Sequence, residues 1–278
     1  MMPKIAAIQM CSTSNVDENL LVAERLIKEA AKEDAQVAVL PEMFAIFGNN
    51  EKDKLKIQEI FGNGRIQNFL SQMAHQHKIW IVGGTIPITC PHPNKVRAAC
   101  IVMNDEGNAV TRYDKIHLFN ATISETERYM ESDTIEEGNT VTVIDSPVGK
   151  LGLAVCYDIR FPELFRLLRD KGAEILVIPS AFTITTGQAH WKILTQCRAI
   201  ENNCYVVGAA QGGTHTKGRK TYGHSIIVDA WGNVLKEKIN NTPGIIVSDV
   251  NLKKLHEIRR LLPTSQHKHF SIHFSSSK

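Results

Sequence analysis

A chain of 278 residues with 43% hydrophobic and 22% charged residues has the composition of an ordinary globular protein, long enough to bury a large core. The net charge is only +3 and the basic residues are scattered, which excludes an electrostatic footprint for nucleic acid, and no apolar run approaches membrane-spanning length. The N-terminal MMPKIAAIQM holds too short an apolar stretch for a secretory leader, and the six cysteines lack CxxC spacing, so reduced thiols and a cytoplasmic location are expected.

Residues 4–10 alternate as a strand, and 16–32 place Leu20, Ala23, Ile27 and Ala30 at helical spacing. Residues 37–40 form a buried-type strand that ends at Pro41, with Glu42 immediately after. A polar stretch follows, then a helical face of Ile66, Phe69, Leu70 and Met73 and a strand over 79–83. Residues 97–103 and 109–113 flank the turn NDEGN as a hairpin, with Lys115 just past its second strand.

Residues 116–140 are a long loop with little periodicity, the kind that is functional or disordered inside a compact domain. Residues 142–146 and 151–155 flank PVGK as another hairpin, and the second strand delivers Cys156 to its end. Pro162 then opens an amphipathic helix carrying Leu164, Phe165, Leu167 and Leu168. A strand over 175–178 ends at Pro179, 190–202 has helical spacing, 205–210 is a strand, and 211–222 is a glycine-rich basic loop. A hairpin over 225–229 and 234–239, a final strand over 244–250 and a helix over 252–262 complete a domain spanning 1–263, followed by a tail over 264–278 with no core of its own.

KIAAIQM, VAVLPEMF, IVGGT and MNDEGNAV are echoed in order by KLGLAVCYD, ILVIPSAF, VVGAAQ and DAWGNVL. Each half thus reads β-α-β-α-β-β, with strands apolar enough to need cover on both faces. Two such halves bury their bare sheet faces against each other in an α/β fold, a four-layer α-β-β-α sandwich. A single doubly wound sheet is the competing layout, and the hairpins in each half argue against it.

Glu42, Lys115 and Cys156 occupy comparable places, each just past the C-terminal end of a strand, where α/β sheets form their ligand crevice. Taken singly, the glutamate caps or faces solvent, the lysine is a solvated surface charge and the cysteine packs in a core. A cysteine before a helix start would ionise more easily than one in a core. Arg160 and Glu163 read as an ion pair fastening this turn, and GNGRIQ at 62–67 lacks the third glycine of a dinucleotide loop; no cofactor or metal is expected.

LPEMF at 40–44, YDKIHLF at 113–119 and GLAVCYDIRFPELFR at 152–166 resemble the three signature motifs of the nitrilase superfamily of carbon–nitrogen hydrolases. The similarity runs from Lys4 to about Pro263. It implies the α-β-β-α sandwich, a Glu-Lys-Cys triad at Glu42, Lys115 and Cys156, and a second glutamate beside the triad at Glu131, with Glu125, Glu127, Glu136 and Glu137 as nearby alternatives.

SAFTITTGQAHW, RAIENNCYVVGAAQ and YGHSIIVDAWG are most similar to the branch that acts on deaminated glutathione, with Lys192 and Cys197 where many relatives have Glu and Ala. The activity implied is amide hydrolysis through a cysteine thioester, expected on the terminal carboxamide of a small carboxylate-bearing substrate with release of ammonia. An ω-amidase for 2-oxoglutaramate-type acids, an N-carbamoyl amine hydrolase and a catalytically silent interaction protein are the alternatives. Tyr157 would supply a backbone N–H to the oxyanion, and Thr183, Thr185, Thr186, Arg198 and the loop over 211–220 are the candidates to bind a substrate carboxylate. The expected partners are a small-molecule amide, water and further copies of the chain in a homodimer or larger assembly, with no nucleic acid and no membrane.

Overall fold

The computed structural model describes residues 2–273, with 124 and 126 excepted. The first half runs β1 (Lys4–Gln9), α1 (Val16–Lys32), β2 (Val37–Val39), α2 (Arg65–His77), β3 (Trp80–Val82), β4 (Ile86–Thr89), β5 (Val96–Met103) and β6 (Ala109–Asp114). A small hairpin, β7 (Asn120–Thr122) and β8 (Arg128–Met130), sits inside the segment expected to be a plain loop. The second half begins with β9 (Val143–Ile144), β10 (Leu151–Leu153), α3 (Pro162–Asp170), β11 (Ile175–Val177), α4 (Ile184–Thr186), α5 (Lys192–Asn202) and β12 (Tyr205–Gly208). It continues through β13 (Gly212–Thr214), β14 (Lys220–Tyr222), β15 (Ile226–Val228), β16 (Val234–Glu237), β17 (Gly244–Asp249) and α6 (Leu252–Leu261).

Local chemistry sets the helix ends. The Asn15 side chain accepts from the Asp17 and Glu18 amides at the start of α1, and Pro162 occupies the first position of α3, where no N–H is needed. The short central strands β2, β10, β11 and β12 are buried along their whole length, as parallel strands covered on both faces must be.

The two halves build equivalent sheets. In the first, β1, β2 and β3 are parallel, with Ile5 opposite Val37 and Val37 opposite Trp80, and β5 closes antiparallel on β3. In the second, β10, β11 and β12 are parallel, with Leu151 opposite Ile175 and Ile175 opposite Tyr205, and β15 closes antiparallel on β12. The last strand, β17, follows the second repeat and pairs antiparallel with β1, so the first sheet contains a strand from the end of the chain.

Alternation along the strands sorts side chains into layers. On β1, Ile5 and Ala7 join Leu151, Leu153, Ile175 and Val177 of the facing sheet, whereas Ala6 and Ile8 join Leu26 and Ile27 of α1 and Leu70 and Met73 of α2. Leu164, Phe165 and Leu168 of α3 and Ala199 of α5 cover the second sheet. The result is the expected α-β-β-α sandwich. Residues after Pro263 lie back on the second half, where Thr264 Oγ1 donates to Asn203 Oδ1 and Lys268 pairs with Asp170. Residues 274–278 of the expected tail lie outside the described residues.

Candidate active site

The chain turns sharply after each of the strands that carry the three reactive side chains. Beyond β2, Leu40 is still bonded to Val82, and Met43 then adopts φ +55° with its amide donating to Thr85 Oγ1 at 2.9 Å. Gly84, at φ +54°, passes so close that a Cβ there would lie 2.1 Å from the Pro41 carbonyl oxygen. Gln211 Nε2, from the other half, donates to the Glu42 carbonyl at 3.0 Å. Lys115 follows β6 and is fixed by its amide to Ala98 O and its carbonyl to Gly138 N.

Cys156 sits at φ +46°, a left-handed conformation unfavourable for a residue with a side chain, and its amide donates to Pro179 O at 2.9 Å. A 3₁₀ turn over Cys156–Arg160 leads into α3. The fully buried Asp158 binds this turn to the Lys115 segment: Tyr113 OH and the Val155 amide donate to Oδ2 at 2.7 and 2.8 Å, and the His117 amide donates to Oδ1 at 3.0 Å.

These turns bring Glu42, Lys115, Glu131 and Cys156 to the wall of one cavity. Lys115 Nζ donates to Glu42 Oε1 at 2.7 Å and to the two Glu131 oxygens at 3.0 and 2.8 Å, and Glu131 Oε2 also accepts from the Phe119 amide at 2.6 Å. Of the other acidic candidates, Glu136 pairs with Arg97 and Glu127 accepts from Tyr129 OH. Burial alone would drive a proton off Lys115, but Glu131 and Glu42 outweigh it and hold the ammonium well above its ordinary pKa.

Cys156 behaves in the opposite way to the expectation of easy ionisation. Burial pushes its pKa well above the ordinary thiol range and the Glu42 charge pushes it further, while Lys115 offsets only part of this. The resting group is a thiol beside a carboxylate. Among the described residues the Tyr157 amide has no hydrogen-bond partner.

The cavity has two arms that meet at Cys156. One is lined by Tyr157, Arg160, Phe182, Thr183 and Thr186, so the expected substrate residues Tyr157, Thr183 and Thr186 do face this space. Arg198 does not. Its Nε donates to Ile159 O at 2.8 Å and its Nη1 to Glu201 Oε1 at 2.7 Å, so it supports the cysteine turn from beneath and is absent from the cavity wall. Arg160, expected to fasten the turn, instead lines this arm with its guanidinium over Tyr157 and Phe182. Among the described residues, no cluster of three His, Cys, Asp or Glu side chains is placed to hold a metal ion.

The sequence family described as carbon-nitrogen hydrolase matches residues 4–260. The chain belongs to the carbon–nitrogen hydrolase family. Such a protein is a hydrolase of non-peptide carbon–nitrogen bonds. This carbon–nitrogen hydrolase is 38% identical over 268 residues to the deaminated glutathione amidase of Yersinia enterocolitica, covering 96% of this chain and 93% of that one. It is 37% identical to the deaminated glutathione amidase of Homo sapiens, covering 96% and 82%. Among solved structures, Nit3 of Saccharomyces cerevisiae, a member of branch 10 of the nitrilase superfamily, superimposes with a TM-score of 0.86 at 32% identity over 96% of this chain and 97% of that one.

Proposed function

We propose that the protein is an amidase of deaminated glutathione that works through a thioester on Cys156. The observation that carries this reading is the Lys115 ammonium, clamped between Glu42 and Glu131 on the wall into which the Cys156 thiol opens. An amide is a poor electrophile, so its cleavage needs a strong nucleophile, a stabilised oxyanion and a proton for the departing nitrogen. Glu42 takes the thiol proton, and the thiolate attacks the carbonyl carbon. Lys115 and the Tyr157 amide donate to the oxyanion, a contribution of about 3–4 kcal/mol for a preorganised donor.

The proton then passes from Glu42 to the nitrogen and the C–N bond breaks; Glu42 next draws a proton from water as it attacks the thioester, and returns it to the Cys156 sulfur as the C–S bond breaks and the acid leaves. Glu131 holds Lys115 in register. A primary carboxamide would release ammonia by this route. Glutathione joins its γ-glutamyl group to a dipeptide, so its deaminated form would release an amine instead. Arg160, Thr183 and Thr186 supply a cation and two hydroxyls for a carboxylate on the acyl portion.

All six cysteines are free, which supports a reducing, cytoplasmic setting. The exposed Ile193 and Ile200 of α5 and nearby Trp231 support a homo-oligomer. No helix among the described residues is long and apolar enough to cross a membrane.

Incubation with deaminated glutathione and with ω-amides, followed by mass spectrometry of the intact protein, tests the chemistry. An acyl adduct on Cys156 that disappears in Cys156→Ala, together with loss of turnover in a folded variant, is the expected outcome. Turnover that survives Cys156→Ala overturns the nucleophile assignment. Carbon dioxide among the products would redirect the reading to an N-carbamoyl amine hydrolase.

A further inference from the structure

The second arm of the cavity, away from Arg160, is lined by Glu42 and Glu131 near Cys156 and by Glu51, Lys54 and Arg219 farther out. Which arm receives which part of a substrate follows from the path of the proton. Glu42 must hand its proton to the departing nitrogen, and Glu42 lines this second arm and not the first. The leaving amine and whatever it carries therefore extend towards Arg219.

Arg219 is held as a plane between two rings, its guanidinium carbon 4.8 Å from the Phe47 centroid and 4.7 Å from that of Tyr129. Its Nη1 lies 3.5 Å from Glu51 Oε1, and its Nε is buried without a hydrogen-bond partner among the described residues. Lys54 Nζ lies 2.7 Å from the other Glu51 oxygen and 3.3 Å from Thr134 Oγ1, with only 14% of its side chain exposed. One carboxylate thus stands between two cations, which leaves one positive charge uncompensated. Nearer Cys156 the balance reverses, because Glu42 and Glu131 share the single charge of Lys115. Outside the mouth lie Lys217, Lys220 and Glu127.

An arm that is negative at the reacting centre and positive farther out suits a ligand with a neutral amide at one end and an anion at the other. A guanidinium already fixed in its plane loses little freedom in gripping a carboxylate. We propose that Arg219, supported by Lys54, binds the carboxylate carried by the leaving amine of the substrate. This rests on the amidase reading above and adds to it the residues that hold the leaving group. Arg219 is then a specificity residue.

Three substrates with one acyl group test this: deaminated glutathione, the same compound with its C-terminal carboxylate capped as the amide, and the primary amide of that acyl group. In the wild type, capping should lower kcat/KM by about 10- to 100-fold, the range for losing one charge-assisted hydrogen-bonded contact, with most of the change in KM. Arg219→Gln should bring the ratio of free to capped substrate close to one, and Arg219→Lys should restore part of it. The wild-type comparison needs no variant to fold. Equal efficiency on free and capped substrates, or an unchanged ratio in Arg219→Gln, overturns the carboxylate site while leaving the amidase reading standing. Hydrolysis of none of the three overturns both.

Discussion

Cys156 combines a strained backbone with a protonated side chain, and the two belong together. The positive φ aims the sulfur out of the strand end into the cavity, at a cost of about 1–3 kcal/mol that the surrounding hydrogen bonds sustain. Because burial and Glu42 both raise its pKa, the thiol stays protonated at neutral pH, and attack depends on transfer to Glu42. Alkylation by iodoacetamide, which reads thiolate, should therefore rise with an inflection above the ordinary thiol value of about 8.5. An inflection below neutrality would show a resting thiolate and remove the need for a base.

Glu42→Gln separates the two effects. It removes the charge that raises the thiol pKa while Lys115 stays, held by Glu131, so the alkylation inflection should move down. Amide turnover should nonetheless fall by about 10²–10⁴, the usual contribution of a positioned proton carrier. A variant in which both quantities stay at wild-type levels would disprove the assignment. Glu42, Lys115 and Cys156 could be singled out because each ends a readable strand. Arg198 and Arg160 exchanged expectations because a place on a helix face or at a helix start does not say how far, or which way, a long side chain reaches. The basic loop over 211–220 could be named as a carboxylate reader from its composition, but not which of its residues would do so, and Glu51 and Lys54 lie in a segment without periodicity, where composition carries no position.

At the level of elements, Asp158 ties the turn after β10 to the segment after β6. It accepts from the Val155 amide on one side and from Tyr113 OH and the His117 amide on the other. Burial and Asp158 together hold the Tyr113 pKa well above its usual value, so the phenol remains a donor. Asp158→Asn places an amide N–H₂ where an oxygen accepted. Each donor stranded in this way costs about 1–3 kcal/mol. The urea midpoint and kcat should drop together, and a variant with an unchanged midpoint would show that other contacts position the turn.

The paired halves and their covering helices were legible because period-2 and period-3.6 patterns survive in long, buried segments such as β1 and α1. The β7–β8 and β13–β14 hairpins were not, since three-residue strands with exposed faces carry too little pattern. The crossing of β17 to β1 was also invisible: alternation tells a strand which face to bury but not which edge to join.

At the scale of the whole molecule, the two halves are held by the apolar seam between their sheets and by a polar junction above it. Gln211 reaches across to Ser12 and Glu42, and Gly212 donates its amide to Met10 O at 2.8 Å. His215 belongs to this junction. It stacks on Phe47 with centroids 3.7 Å apart, and its ring nitrogens lie 2.8 Å from Ser12 O and 2.7 Å from Thr221 Oγ1. The neutral ring satisfies both contacts, with Nδ1–H donating to the carbonyl and Nε2 accepting from the hydroxyl. Burial lowers its pKa to about 4; the Ser12 carbonyl offsets part of this and Arg219 adds to it.

The unfolded chain takes up this proton near pH 6.5 and the folded chain only near 4. The histidine's contribution is therefore whole above pH 6.5 and is lost as pH falls from 6.5 towards 4, a total of about 3 kcal/mol at 1.36 kcal/mol per unit. Urea midpoints at pH 7 and pH 4.5 for the wild type and His215→Gln isolate this contribution from the carboxylates that titrate in both. The variant should be weaker at pH 7 yet lose less between the two pH values. Equal losses in the two proteins would mean that His215 is already charged in the folded state, which its contact with the Thr221 hydroxyl could accommodate only if that hydroxyl turned its oxygen towards the ring.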